Sequence, residues 1–106
     1  MADIQSVDTA LQKHKYTTAY RTGVAVATTS TQISSELVNR LYALIVNDSD
    51  TVIYLTLGGT AVLHQGIRLN ANGGSYEINW TNLYTGSIYG IHGGTGDKVV
   101  TVVYGV

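Results

Sequence analysis

The side chains of this protein that could bind a metal are few and scattered. Its three histidines are His14, His64 and His92. The last two lie beside glycine-rich turns. They could meet near Asp97 or Glu77, and a metal site needs such a cluster of ligands. Nothing in their spacing demands that meeting, so we predict neither a metal site nor a bound cofactor.

Hydrolytic or nucleotide chemistry is not indicated either. No serine lies in a nucleophile-elbow motif. Glu36 and Glu77 lie in unrelated segments, so they do not form the carboxylate pair of a glycosidase. The run 93–96 (GGTG) lacks the Gly-Lys-Ser/Thr ending of a phosphate loop, and a predicted strand rather than a helix follows it. We therefore predict that the protein is not an enzyme and has no catalytic residues.

The overall composition points to a surface made for assembly. Charged residues are 12% of the chain, against roughly 25% in an ordinary soluble domain. A surface so poor in charge is decorated, assembled or prone to aggregate. The net charge of −1 leaves no basic patch for nucleic acid, and Arg21, Arg40 and Arg68 are interpreted as structural ion pairs or sheet-edge charges.

The remaining compositional signals concern the compartment. The chain has no cysteine, which fits folding in a reducing cytosol. Its N-terminal stretch is polar and acidic, unlike a secretory signal peptide. No apolar run approaches the ~18 residues of a membrane helix, so we expect no membrane contact.

Two apolar runs in the middle of the chain have the signature of strands. Leu41–Val46 and Val52–Leu57 are rich in β-branched and aromatic residues and flank the polar turn Asn47–Asp50. The four-residue turn predicts a hairpin. Neither run has a polar face, although a strand with one face in water alternates apolar with polar residues. We therefore expect both faces of these strands to be covered.

Counting similar runs predicts an all-β domain over residues 20–106, preceded by an arm over residues 1–19. Roughly seven or eight strands end in turn residues, and no long helix separates them. This pattern favours an antiparallel β-sandwich or compact barrel with Greek-key or jelly-roll connections. Residues 31–39 are interpreted as a loop, and residues 80–84 as a corner with Trp80 and Leu83 as plugs.

The arm is the one part of the chain with a helical pattern. Ile4, Val7 and Leu11 share one face of a helix predicted over residues 3–15. A helix this short is marginal on its own and needs a surface to dock on. It either lies across its own sheet or binds a neighbouring subunit or larger partner.

The last strand, residues 98–106, repeats the doubly apolar pattern. Val100, Val102 and Tyr104 face one way, and Val99, Thr101 and Val103 face the other. An uncharged β-branched run is an aggregation hazard when it is exposed, so it must be paired, covered or buried between subunits. The predicted subunit interface consists of Val99, Thr101, Val103 and Tyr104.

Aromatic side chains open a different hypothesis. Trp80, Tyr84 and Tyr89 could form a platform on which a sugar stacks. The alternative is that Trp80 closes one end of the sandwich while the tyrosines place their hydroxyls at a wet boundary.

The order of strands and turns resembles a known group of proteins. The segments that carry the likeness are residues 40–47 (RLYALIVN), 52–58 (VIYLTLG), 66–69 (GIRL) and 84–91 (YTGSIYGI). They resemble the small β-sandwich proteins encoded among the virion structural genes of tailed bacteriophages, over roughly residues 40–104. Such proteins are capsid decoration (cement) proteins, head fibres or tail parts. The resemblance implies a non-enzymatic virion protein, commonly a homotrimer.

Within that group we expect a capsid decoration protein, because the chain is a single domain with a short arm and no fibrous repeat. It would be assembled in the host cytoplasm, trimerise through the last strand, sit on the lattice of the major capsid protein and stabilise the head. The alternative is a receptor- or glycan-binding module at a tail tip or fibre. A bacterial adhesin subunit is less favoured, because no export signal is recognised.

Overall fold

The computed structural model describes residues 15–106, which form eight β-strands and no helix. The helix predicted over residues 3–15, with Ile4, Val7 and Leu11, falls almost wholly on residues 1–14, and those side chains and His14 lie outside the described residues. The strands are β1 (Ala19–Val26), β2 (Thr31–Ser34), β3 (Tyr42–Asn47), β4 (Ile53–Leu57), β5 (Ile67–Leu69), β6 (Ser75–Ile78), β7 (Ile88–His92) and β8 (Lys98–Gly105).

The strands make two four-stranded sheets, in which every pairing is antiparallel. Sheet A has the order β1-β8-β3-β6, and sheet B has the order β2-β7-β4-β5. Successive strands alternate between the sheets, except that β4 and β5 are neighbours in sheet B. This interleaving of two Greek keys is the jelly-roll topology. The predicted all-β antiparallel sandwich is confirmed.

The predicted hairpin between β3 and β4 is wrong. These strands lie in different sheets, so the turn between them crosses the sandwich. Asn47 holds this crossing: its buried amide donates to the carbonyls of Thr51 (2.7 Å) and Leu69 (3.1 Å), and its oxygen accepts from Ser49. The crossing lets the apolar inner faces of both strands meet in the core, which side-by-side pairing would not do.

The core lies between the two sheets and is built from alternating side chains. In sheet A the inward positions include Ile45 and Val102, and in sheet B they include Ile53 and Leu55. Because strand side chains alternate with a period of two, the predicted face assignments for the central runs and the last strand are confirmed. The buried cluster consists of Val26, Ile33, Ala43, Ile45, Ile53, Leu55, Leu69, Ile78, Ile88, Val100 and Val102.

Two local predictions fail near the ends of the sandwich. Residues 31–34, interpreted as loop, form β2, whose bulge places Ile33 in the core. Trp80 and Leu83 are not plugs, since both are exposed, Trp80 by 62%. Arg40 is buried there instead, at 1% exposure, and it forms no ion pair with any residue of 15–106.

The Arg40 guanidinium connects two loops at this end. It donates to the carbonyls of Tyr84 (3.0 Å) and Gly86 (3.1 Å) on one side. On the other side it donates to the Ser34 hydroxyl (2.7 Å) and the Ser35 carbonyl (3.0 Å). Three of these four hydrogen bonds therefore stabilise carbonyls of residues 35, 84 and 86, which lie outside the strands, and the fourth ties them to the end of β2.

The chain covers the outer face of sheet B with its own loop, residues 58–66. The amide of Ala61 in this loop donates to the Ser30 hydroxyl across the sheet, and Tyr54 bonds to His64 of the loop. Ile91 pairs with Tyr54 on the outward register, yet it is only 9% exposed. The expected covering on both sides is thus met in sheet B by the chain itself.

Candidate functional site: the outer face of sheet A

The outer face of sheet A is covered at one end, where the Tyr16 ring stacks on Tyr42 and lies over Gly105, and no other segment of residues 15–106 covers the rest of it. Its apolar centre comes from two adjacent central strands, β3 and β8. Val99 and Val103 of β8 are 43% and 38% exposed, beside half-buried Leu44 and Val46 of β3. Contiguous exposed apolar surface of this kind marks an interaction site more often than scattered single residues do.

Gly23 in β1 adds a shallow groove to this face. It pairs with Thr101, and having no side chain it leaves space between Arg21 and Val103. The groove lies next to the exposed valines, so it extends the same apolar surface towards the β1 edge.

Opposite charges stand at the two edges of the face. One register row reads, in order across the strands, Glu77 (β6), Leu44 (β3), Val103 (β8) and Arg21 (β1). Arg21 is exposed and makes no hydrogen bond or ion pair within the described part of the chain. The row is therefore acidic at one end, apolar in the middle and basic at the other.

Glu77 is held in its charged form by its neighbours. It accepts a hydrogen bond from the Tyr42 hydroxyl (2.7 Å) and another from the Asn79 amide (3.1 Å). These bonds lower the pKa of Glu77, with the Tyr42 bond as the larger cause. The same pairing raises the pKa of Tyr42 to about 12. The acidic end of the row is thus ionised at neutral pH.

The structure separates the four residues of the predicted interface. Val99, Thr101 and Val103 share the outer face of sheet A. Tyr104 points to the inner side, where it packs against the core and stacks on Tyr20 with ring centroids 5.1 Å apart. Both edges of β8 are paired, so only the outer face of that strand is open to a partner.

The aromatic residues of the predicted sugar platform lie in different places. Tyr84 packs against the core, and its hydroxyl donates to the Ser87 carbonyl. Tyr89 pairs with Thr56 on the outward register of sheet B. Trp80 lies in the connection after β6 of sheet A. Tyr84 and Tyr89 therefore face opposite sides, and only the exposed Trp80 ring and the half-buried Tyr89 ring are open to a ligand.

The two described histidines have separate surroundings. Buried His92 accepts from the Gly94 amide at Nδ1 (3.1 Å) and donates from Nε2 to the Gly96 carbonyl (2.7 Å), so it organises the turn before β8. His64 lies on the covering loop of sheet B. Over residues 15–106 no three histidine, cysteine or acidic side chains are grouped as metal ligands.

About half of the residues on this surface were not predicted from the sequence. Leu44, Val46, Glu77 and Arg21 were not assigned to the interface, because strand order decides which residues flank β8. The doubly apolar pattern of residues 41–46 was the available signal. Without the pairing of β3 with β8, it could not be joined to the last strand.

Comparison of the chain with protein-family models, curated proteins and solved structures found no match. Within residues 15–106 there is no helix long and apolar enough to cross a membrane. The outer face of sheet A is the best-supported candidate site on the geometry of the molecule alone.

Proposed function

We propose that this protein is a structural component of a phage virion, a capsid decoration protein that forms a homotrimer and stabilises the head. The observation that carries the proposal is the uncovered apolar face of sheet A, with Val99 and Val103 exposed at its centre. The likeness of residues 40–104 to phage β-sandwich proteins supports it. Jelly rolls also occur in viral capsid and lectin domains, which is support by analogy of fold.

The charged ends of the face favour a closed ring. Around a three-fold axis, the Arg21 edge of each subunit would meet the Glu77 edge of the next. Such a contact is heterologous, and it closes when the rotation is a third of a turn. Covering the exposed parts of Val99 and Val103 would contribute on the order of 1 kcal/mol each.

The arm supplies the contact with the capsid in this proposal. Ile4, Val7 and Leu11 would bury against the lattice of the major capsid protein. Full burial of three such side chains contributes roughly 5–8 kcal/mol before the cost of ordering the arm. Repeated by symmetry around each trimer, this contact would hold neighbouring capsomers together against internal pressure.

Solution mass at micromolar concentration tests the trimer. Sedimentation velocity of the full chain is expected to give three times the mass of one subunit. Val99→Lys is expected to yield single subunits, because it places a charge in the apolar centre. Val62→Lys is the matched control, since Val62 is 45% exposed on the loop over sheet B. A monomeric wild type, or equal effects of both variants, would refute the proposed interface.

A charge exchange tests the head-to-tail arrangement. Arg21→Glu and Glu77→Arg each place like charges at the junction, and each is expected to weaken association. The double variant restores opposite charges and is expected to recover it. If the double variant is weaker than both single variants, the two edges do not meet.

Testing the proposed role in the virion requires the parent virus particle. Imaging the parent particle with the protein labelled is expected to place it on the outer head surface. Deletion of residues 1–15 is expected to abolish binding to empty shells while leaving the trimer intact. Label on the tail, or undiminished binding without the arm, would contradict this assignment.

A receptor- or glycan-binding module of a tail is the second candidate, and one observation favours it. The Trp80 ring is 62% exposed in the connection after β6, where a sugar could stack on it. Binding on a glycan array that is lost in Trp80→Ala would support this function over decoration.

A further inference from the structure

A polar cleft opens on sheet B, on the opposite side of the sandwich from the proposed trimer surface. It has a volume of about 620 Å³, within the usual range for small-ligand sites. Tyr54 of β4 and Arg68 of β5 are direct register partners on the outward face and stand side by side in its wall. The loop over sheet B brings His64 to them.

His64 is held in an unusual backbone conformation. Its φ is +64°, in the left-handed region that non-glycine residues seldom occupy. Such a position costs of order 1 kcal/mol or more and persists only where surrounding contacts hold it. Here the Tyr54 hydroxyl lies 3.0 Å from His64 Nδ1, and the rings meet edge to face at 5.2 Å.

This contact sets the direction of the imidazole. When the Tyr54 hydroxyl donates to Nδ1, the ring proton lies on Nε2. Nε2 makes no hydrogen bond within residues 15–106. In that tautomer, His64 presents a free N–H donor at Nε2.

Arg68 adds an unpaired positive charge to the same cleft. It is exposed and makes no hydrogen bond or ion pair with the rest of residues 15–106. The part of the cleft wall formed by the described residues contains no carboxylate, although the protein as a whole has a net charge of −1. Leu63 and Val52 supply apolar wall beside the donors.

We propose that this cleft binds the carboxylate group of a small ligand. The planar guanidinium of Arg68 matches a carboxylate with two parallel hydrogen bonds, and the Nε2 proton of His64 offers a third donor. Leu63 would contact the body of the ligand. This function goes beyond self-association, because it uses the other sheet.

A phosphate fits this cleft less well than a carboxylate. Phosphate sites gather several backbone amides or a second cation. The Gly94 amide in the wall already donates to His92, and Arg68 is the only lysine or arginine side chain in the described wall. One cation and two or three donors suit a single negative charge.

The carboxylate could belong to a free organic acid or to an acidic sugar, and titration distinguishes them. Amide resonances of the ¹⁵N-labelled full chain would be followed with acetate, glucuronate, glucose and inorganic phosphate. Saturable shifts confined to residues 63–68 and 93–94 are expected with glucuronate, and none with glucose. Saturation by acetate as well assigns the site to organic acids in general, and glucuronate alone assigns it to acidic sugars.

Variants test which groups bind. Arg68→Gln is expected to weaken glucuronate binding at least about tenfold, because it removes a charge-assisted pair of hydrogen bonds. Arg68→Lys keeps the charge but loses the fork, so a smaller loss is expected. Tyr54→Phe is expected to weaken binding a few-fold and to shift the ring resonances of His64. The matched control is Lys15→Gln, which removes an exposed cation outside the cleft wall and is expected to bind like the wild type.

Several results would overturn the proposal. These are no saturable shift with either carboxylate, saturation by phosphate alone, equal shifts with glucose, and equal losses in Arg68→Gln and Lys15→Gln. Because the cleft is distinct from the face of sheet A, the outcome is independent of whether the protein forms a trimer.

Discussion

Replacing Arg40 with methionine tests whether a buried cation organises this fold. Arg40 donates four hydrogen bonds, to the Ser34 hydroxyl and to the carbonyls of Ser35, Tyr84 and Gly86. No carboxylate among the described residues pairs with it, and burial lowers the pKa of its guanidinium. Methionine fills much of the space but leaves three backbone carbonyls and a hydroxyl without this donor.

The expected magnitude follows from two opposing effects. An acceptor left without a donor in a buried site costs about 1–3 kcal/mol. The Ser35 carbonyl belongs to an exposed residue and can turn to water, and the other three acceptors belong to half-buried residues, so the four together cost several kcal/mol rather than the full sum. Removing the buried charge and its unpartnered Nε returns part of that cost. We expect a net loss of about 3–5 kcal/mol, a large share of the roughly 5–15 kcal/mol by which domains are stable.

The Arg40→Lys variant provides a second loss of unfolding free energy for comparison. A single ammonium cannot reach both the 34–35 loop and the 84–86 loop, so about half of the bonds are lost. We expect a loss of about 2 kcal/mol, smaller than that of the methionine variant.

Urea unfolding followed by circular dichroism measures these losses. Subunit concentration must be fixed, because association changes apparent stability. Arg68→Met is the control, since this exposed arginine of β5 lies outside both the core and the proposed interface on sheet A and is expected to change the free energy of unfolding by about 0.5 kcal/mol or less. If Arg40→Met were as stable as the control, burial of the charge would cancel its hydrogen bonds, and its role as an organiser would be refuted.

Three further results are expected. Asn47→Asp should lower the free energy of unfolding by about 3 kcal/mol, because it removes two buried N–H donors and buries a charge. Calorimetry measures this loss, and a Tm within 2 °C of wild type would contradict it. The Tyr42–Glu77 bond should stabilise the fold fully between pH 4.5, the ordinary pKa of the carboxyl, and about pH 10, that of the phenol. This contribution should be lost at acid pH, as the pH falls through the lowered pKa of Glu77, and at alkaline pH, as it rises towards the Tyr42 pKa of about 12. Tyr42→Phe should therefore reduce the decrease in Tm at both ends of the pH range. If the decrease is unchanged at both ends, this bond is not its cause. Gly66→Ala should unfold at a lower urea concentration than wild type, because Gly66 has a φ of +91° and a Cβ there would overlap the Leu55 carbonyl oxygen. Gly73→Ala is the control for backbone strain alone, since Gly73 has a φ of +115° but no atom lies where its Cβ would be.

Residue patterns along the chain were enough to predict the fold class and which side chains of a strand share a face. Alternation along residues 41–46 and 98–106 separates Ile45 from Val46 and Val102 from Val103, because successive strand side chains point to opposite faces. Both faces of these strands are apolar, so the sequence did not decide that Ile45 and Val102 are the inward members. Turn residues marked the ends of most strands, and Asn72 and Gly73 do adopt positive φ. These features depend on near neighbours in the chain.

Which strands lie side by side depends on contacts between segments that are far apart in the chain. The polar turn at residues 47–50 is compatible both with a hairpin and with a crossing between the sheets. The crossing is stabilised by the hydrogen bond from the Asn47 amide to the Leu69 carbonyl, 22 positions away. From the sequence, Arg40 is interpreted as a surface charge, whereas in the structure the loop of residues 84–86 folds over it and buries it. The candidate surface likewise exists because β8 pairs with both β1 and β3, which brings Arg21, Val103, Leu44 and Glu77 into one row. Such contacts are set by packing between distant segments, which no local pattern of residue types encodes.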